Sequence, residues 1–158
     1  MIYDVAIVGA GVTGAMIARE LGMYDLSVCV VEAEADVASG ASRANCGIVH
    51  AGFDALPGTM KARMNKRGNE MMPKVTRELG VPFEECGSLV VAFGQEEEKQ
   101  LEILMERGAA NGVPVGRISG DEARRMEPVL SRDITAALWA PTGGIVDPFS
   151  LTIGAMFG

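Results

Sequence analysis

The chain has 158 residues, of which 48% are hydrophobic and 22% charged, and its formal net charge is −7. This length and composition suit one packed domain and exclude a disordered tail, a collagen-like repeat and a small disulfide scaffold. The acidic balance and an aromatic content of 5% also disfavour a nucleic-acid partner, because phosphates are bound by basic surfaces and single-stranded bases by aromatic side chains.

Cysteine and histidine usage bears on metal binding and on cellular compartment. The three cysteines lie far apart, and His50 is the only histidine, which disfavours a zinc site made of Cys and His, and we expect no metal. Unpaired thiols suit a reducing compartment. The first residues lack the features of a signal peptide, and no segment reaches the ~18 apolar residues of a membrane span. The sequence therefore predicts a cytoplasmic protein without a transmembrane segment.

The first thirty residues predict one βαβ unit. The apolar run Val5–Val8 predicts a fully buried parallel strand that leads directly into Gly9. Residues 13–21 have helical periodicity and are followed by Gly22, and residues 27–31 predict a second buried strand that ends at Glu32. This arrangement indicates an α/β fold.

The remaining segments predict alternating helices and strands. We expect helices over 59–79, 95–111 and a short stretch opened by a capping box at Ser119, strands over 88–93 and 134–140, and a last helix that begins near Ser150 and is cut off at Gly158. In the long helix, Met60, Met64 and Met71 are expected to form part of a buried stripe. The basic residues Lys61, Arg63, Lys66 and Arg67 are expected to form a solvated face rather than a phosphate site.

A dinucleotide-binding motif lies between the first strand and helix. Gly9, Gly11 and Gly14 form GxGxxG, and Glu32 follows 21 residues after Gly11. The first glycine permits the tight turn, the second lets the backbone approach a pyrophosphate, and the third lets the helix pack closely on the strand. Glu32 is able to accept hydrogen bonds from ribose hydroxyls and repels a 2′-phosphate, which disfavours NADP.

The choice between FAD and NAD depends on the next loop. Residues 38–52 are rich in Gly, Ser and Ala, and small residues allow backbone amides to surround the longer chain of FAD. An ordinary surface loop has the same composition, so spacing alone leaves the NAD alternative open.

Several motifs together resemble a known group of flavoproteins. The pattern GxGxxGxxxA from Gly9 to Ala18, Glu32, the segment SGASRANCGIVHAG and the later GGIVDPFSLT resemble FAD-dependent oxidoreductases of the D-amino-acid-oxidase-like superfamily. The chain is most similar to the N-terminal portion of FAD-dependent glycerol-3-phosphate dehydrogenases, and also to L-2-hydroxyglutarate oxidases or dehydrogenases. Ala44 and Cys46 depart from the residues common in that group.

The resemblance implies FAD as cofactor and assigns its binding to one set of residues: Gly9, Gly11, Val12, Thr13, Gly14, Glu32, Ala33, Ser39, Ser42, Asn45 and Gly47. It places His50 near the flavin and the substrate. Because histidine titrates near neutrality, His50 is also our candidate for the catalytic base that takes the proton of a substrate hydroxyl.

The resemblance further implies a Rossmann-like FAD-binding core of the glutathione-reductase-like three-layer type, incomplete in this chain. We expect residues 1–82 and 148–158 to belong to this FAD-binding domain and 83–147 to begin an α+β substrate domain. The leading hypothesis is oxidation of a secondary alcohol, sn-glycerol 3-phosphate, by hydride transfer to flavin. Alternatives are a 2-hydroxy-acid oxidase or dehydrogenase acting on L-2-hydroxyglutarate, and a non-catalytic nucleotide-binding fragment that self-associates through its sheet edges. Peripheral membrane contact of a longer protein is left open.

Overall fold

A computed structural model describes residues 2–158. The elements of the first half are β1 (Val5–Val8), α1 (Val12–Leu21), β2 (Val28–Val31), β3 (Ile48–Val49), α2 (Met60–Glu78) and β4 (Phe83–Glu84). Those of the second half are β5 (Ser88–Ala92), α3 (Gln95–Asn111), β6 (Gly116–Ser119), α4 (Gly120–Met126), β7 (Ala136–Ala140), β8 (Gly144–Val146) and α5 (Pro148–Phe157). No helix within residues 2–158 is both long and apolar enough to cross a membrane.

The chain divides into two compact units. Unit 1 contains Met1–Ile48, Pro73–Phe83 and Val146–Gly158, and unit 2 contains Val49–Met72 and Glu84–Ile145. The assignment of a cofactor or substrate function to each stays a prediction.

Unit 1 contains the predicted βαβ unit. Strands β1 and β2 are parallel, with Val5 opposite Val28 and Val8 opposite Val31, and α1 packs against both strands. The predicted bounds are correct to within one residue. The expectation of fully buried strands is wrong. Ile7 is buried, whereas Val8 is 89% exposed, because successive side chains point to opposite faces and Ile7 lies on the face toward α1, near Gly14.

The last helix of unit 1 begins two residues earlier than expected. Asp147 is its N-cap, and the carboxylate accepts hydrogen bonds from the backbone N–H groups of Phe149 and Ser150. Pro148 occupies the first helical turn, where its missing N–H group costs no hydrogen bond. The Ser150 hydroxyl also donates to the Asp147 carboxylate and is the largest cause that lowers the pKa of Asp147. The backbone N–H groups of Phe149 and Ser150 lower this pKa further. The segment Val146-Asp147-Pro148 is therefore a helix start signal, and α5 packs against α1.

Unit 2 contains an antiparallel sheet of order β5-β7-β6. Its hydrophobic core is formed by residues of this sheet together with the following side chains of α3 and the loops: Ala51, Leu101 and Val113. Helix α3 has the predicted bounds, and its C-cap Gly112 adopts the left-handed conformation at φ 67° that favours glycine.

The methionine stripe predicted for α2 is wrong. Met60, Met64 and Met71 are 62%, 45% and 47% exposed, and the buried positions of this helix include Ala62 and Thr76 instead. The small side chains of Ala62 and Thr76 carry little hydrophobic signal, so the more hydrophobic methionines indicated the wrong face. The basic residues Lys61, Arg63 and Arg67 are exposed, as predicted, while Lys66 pairs with Glu70 at 2.8 Å.

The capping box predicted before α4 is confirmed. The Ser119 hydroxyl accepts from the backbone N–H of Glu122, and the Glu122 carboxylate accepts from the backbone N–H of Ser119. We expect Ser119→Ala to lower the free energy of unfolding by about 1 kcal/mol, because one N-terminal amide loses its partner. Urea denaturation measures this change. Ser119→Asp is the control, since aspartate also caps helices, and equal losses in both variants would contradict the assigned role.

Candidate cofactor-binding site

The turn between β1 and α1 is built from two glycines that nearly touch. Gly9 adopts φ +98°, a conformation that favours glycine, and its N–H donates to the Val31 carbonyl at 2.8 Å. A Cβ atom on Gly14 would lie 2.0 Å from the Gly9 carbonyl oxygen. Helix α1 therefore begins against the turn at a separation that only glycine at position 14 permits.

The N-terminus of α1 receives a contact from the second loop. Gly11 is the N-cap residue and has no side chain with which to cap the helix. The Ser42 hydroxyl instead accepts a hydrogen bond from the backbone N–H of Val12 at 2.8 Å. A Cβ on Gly11 would lie 3.0 Å from the same Ser42 oxygen. Helix N-termini attract anions through their unpaired amides and dipole, so Ser42 stands where an anionic oxygen is favoured.

Glu32 closes the other side of the turn. Its carboxylate accepts from the backbone N–H groups of Ala10 at 2.6 Å, Ala33 at 2.8 Å and Glu34 at 3.0 Å. The hydrogen bond from Ala10, followed by that from Glu34, lowers the pKa of Glu32 and keeps it ionised. A carboxylate offers roughly four acceptor positions, so these three donors leave about one for a hydroxyl group of a ligand.

Two alanines that motif spacing did not identify complete this arrangement. Besides donating to Glu32, Ala10 accepts a hydrogen bond through its carbonyl from the backbone N–H of Ala38 at 3.0 Å. Both residues are almost fully buried. Ala38 adopts φ +58°, a left-handed conformation that costs an L-residue roughly 1–2 kcal/mol. Ala10 is the middle residue of the first GxG, so the motif itself marks its position in the turn. No residue type or motif near Ala38 marks that position.

The second loop is held largely by its own side chains. The Ser39 hydroxyl donates to the Asp36 carbonyl, and the Asn45 amide donates to the Ala41 and Ser42 carbonyls. The Asn45 side-chain oxygen accepts from the backbone N–H of Gly47 at 2.8 Å. These bonds shape the loop and do not connect Ser39 or Asn45 to the first turn.

Gly47 ends the loop at a close backbone contact. Its carbonyl accepts from the backbone N–H of Val146 at 2.9 Å, and a Cβ on Gly47 would lie 2.2 Å from the Val146 carbonyl oxygen. With φ +68° as well, this position requires glycine. The contact joins the end of the second loop to the segment from which α5 begins.

The predicted site residues fall into both units. All eleven predicted cofactor-binding positions belong to unit 1, where the contacts of Glu32 and Ser42 join the strand end and the second loop to the first turn. His50 is exposed and belongs to unit 2. Thr13 is exposed in the first turn of α1.

Comparison with known proteins identifies the family to which this turn belongs. The DAO family, described as FAD dependent oxidoreductase, matches residues 4–156. The chain is a member of this family. The α/β fold predicted from the sequence is confirmed by this match and by solved structures.

Three relatives show how far the similarity extends. The chain is 49% identical over 152 residues to a glycerol 3-phosphate dehydrogenase of Caloramator mitchellensis, covering 96% of this chain and 32% of that protein. It is 36% identical over 150 residues to a mitochondrial L-2-hydroxyglutarate dehydrogenase of Dictyostelium discoideum, covering 92% and 33%. A structure of reduced L-α-glycerophosphate oxidase from Mycoplasma pneumoniae with FAD bound superposes with a TM-score of 0.92 at 34% identity, covering 98% and 41%. This DAO-family chain thus spans about a third of the length of the curated relatives that it matches.

Proposed function

We propose that this chain is the FAD-binding part of a flavin-dependent dehydrogenase or oxidase that acts on a secondary alcohol, with sn-glycerol 3-phosphate as substrate. The turn closed by Glu32 is the observation that carries the cofactor assignment. The 49% identity to a glycerol 3-phosphate dehydrogenase supports the substrate. The 36% identity to L-2-hydroxyglutarate dehydrogenases supports a 2-hydroxy acid as the second candidate.

The residues of unit 1 fit the ADP half of FAD. A Cβ on Gly9 would meet nothing within 4 Å among the described residues, and the N-cap Gly11 carries no side chain over the first amides of α1, whose N-terminus favours the charge of a pyrophosphate. Glu32 keeps an acceptor position for a ribose hydroxyl. The Ser42 hydroxyl lies beside the N-terminus of α1, where it is a hydrogen-bond partner for a phosphate oxygen of the cofactor. We assign the remaining predicted positions of the second loop, Ser39, Asn45 and Gly47, to the part of the cofactor that lies toward the flavin.

The chemistry divides between cofactor and protein. When bound, FAD would supply the acceptor for the hydride of the substrate carbon atom. A ring nitrogen of His50 takes the proton of the substrate hydroxyl, so that the alcohol becomes a ketone.

The free thiols Cys29, Cys46 and Cys86 support our placement of the protein in a reducing, cytoplasmic compartment.

Substrate-dependent loss of the visible flavin absorbance tests this proposal. The natural, unmodified polypeptide is loaded with FAD. It is then mixed, under anaerobic conditions, with sn-glycerol 3-phosphate or with L-2-hydroxyglutarate. Rapid bleaching by the first compound supports the proposed substrate, and bleaching by the second alone supports the alternative. Bleaching by neither would contradict the proposed function.

His50→Asn tests the role of the histidine. We expect the variant to keep its FAD and to lose about 10²- to 10⁴-fold in kcat, the usual contribution of a general base. The control is Gln100→Ala, a change of an exposed polar residue of α3 in unit 2, which should leave kcat within about twofold. Unchanged turnover of His50→Asn would contradict the assignment.

A further inference from the structure

The loop that follows His50 is held in place by buried side chains at both of its ends and by a packed side chain in its middle. Ala51 and Ala55 are buried, and Phe53 packs against the hydrophobic core of unit 2. Gly52 adopts φ +101°, and a Cβ at this position would lie 3.3 Å from the backbone nitrogen of Lys66. The backbone next to His50 therefore has little freedom, although the His50 side chain itself is exposed.

One side chain of α3 connects two points of this loop. The Asn111 side-chain nitrogen donates to the Gly52 carbonyl at 3.1 Å and to the Ala55 carbonyl at 2.8 Å. An amide NH₂ group has two hydrogens, so Asn111 commits both of them to the loop. Arg107, one helical turn earlier, donates to the intervening Asp54 carbonyl at 3.3 Å.

We propose that Asn111 is a positioning residue that orients His50 by clamping the Gly52 and Ala55 carbonyls. The inference rests on the catalytic role proposed for His50. His50, Asn111 and the two carbonyls all lie in unit 2. Gly52 and Ala55 follow His50 by two and five residues. Without the clamp, both carbonyls lose a partly buried donor and the loop gains alternative conformations.

The His50 imidazole reports the clamp directly. Because His50 is the only histidine of the 158-residue chain, its Cε1–Hε1 group gives a single cross-peak in a carbon–proton NMR spectrum. We expect one sharp peak for the unmodified chain and a shifted or broadened peak for Asn111→Leu, which keeps the branched shape of the side chain and removes the donors. Asn111→Gln keeps the amide but lengthens the side chain, and should shift the peak less.

Asn69→Leu is the matched control. The Asn69 amide also donates to a backbone carbonyl of unit 2, that of Thr142 at 2.7 Å, so the two Leu variants lose the same type of hydrogen bond. We expect the His50 peak of Asn69→Leu to stay unchanged. If Asn111→Leu fails to fold, the peak of Asn111→Gln decides. An unchanged peak in the folded Asn111 variants, or an equal shift in Asn69→Leu, would overturn the proposal.

Kinetics provide the second readout. In the FAD-loaded polypeptide we expect Asn111→Leu to lower kcat by about 10- to 100-fold with KM and FAD content unchanged, because small displacements of a catalytic group are costly. Equal kcat losses for the Asn111 and Asn69 variants would also overturn it. The NMR result is independent of activity, so failure of the proposed function, seen as normal turnover of His50→Asn, is distinguishable from failure of this inference.

Discussion

Replacing Gly14 with alanine is expected to abolish FAD binding and to lower the free energy of unfolding by about 1–3 kcal/mol, the usual cost of overpacking. The added methyl group would lie 2.0 Å from the Gly9 carbonyl oxygen and 3.3 Å from a methyl carbon of Ile7. Relief requires that α1 move away from β1, which displaces the turn at Gly9 that we assign to the pyrophosphate. Urea denaturation measures the stability, and fluorescence titration with FAD measures the binding.

Gly68→Ala is the matched control for this variant. Gly68 also lies within a helix, and a Cβ at this position meets no atom of the described residues within 4 Å. Alanine is favoured over glycine in a helix interior by roughly 0.5–1 kcal/mol, so this variant should be slightly stabilised and should bind FAD normally. Normal FAD affinity in Gly14→Ala would show that the close contact between helix and turn is dispensable.

Replacing Glu32 with glutamine is expected to weaken FAD binding by about 10- to 100-fold while the chain stays folded. A glutamine side chain has one acceptor oxygen, so it is unable to serve all three backbone donors now held by Glu32 and a ribose hydroxyl too. Loss of one charge-assisted hydrogen bond costs about 1.5–3 kcal/mol, and each 1.4 kcal/mol is about tenfold in affinity. The titration described for Gly14→Ala measures this loss.

Glu34→Gln removes the same charge two residues away and is the control for Glu32→Gln. Glu34 is exposed, and its backbone N–H, which donates to Glu32, is retained in the variant. We expect FAD affinity within about twofold of the unmodified chain. Equal weakening by both variants would indicate a general charge effect and contradict a direct role of Glu32.

The pH dependence of FAD binding follows from the lowered pKa of Glu32. Backbone donors, Ala10 first, lower this pKa below its ordinary value. In the folded chain the Glu32 carboxylate therefore stays ionised, and able to accept from a ribose hydroxyl, until the pH falls through this lowered pKa. FAD affinity should therefore hold through the range in which an ordinary glutamate becomes protonated.

Local signals in the sequence were sufficient for the cofactor turn. The spacing of Gly9, Gly11 and Gly14 and the distance to Glu32 depend on one turn and one helix, whose geometry the chain specifies over short range. The same holds for the capping box at Ser119 and for the bounds of α3. These features involve neighbours in sequence, so residue type and spacing determine them.

Features that depend on distant partners were not predictable in this way. The clamp from Asn111 joins residues more than fifty positions apart, and the two-residue strands β3 and β4 are too short to carry a periodic signal. The exposed methionines of α2 show the same limit, because hydrophobic period does not determine which face meets the rest of the fold. The left-handed conformation of Ala38 has no signature in residue type.

Equilibrium titration of the polypeptide with FAD, repeated with FMN and with ADP as competitor, tests most directly the claim that the Gly9–Gly14 turn and Glu32 hold the ADP half of FAD. Binding of FAD should be saturable, should be displaced by ADP, and should exceed that of FMN, which lacks the adenosine. Equal binding of FMN and FAD, or binding of FAD that ADP does not displace, would contradict the claim.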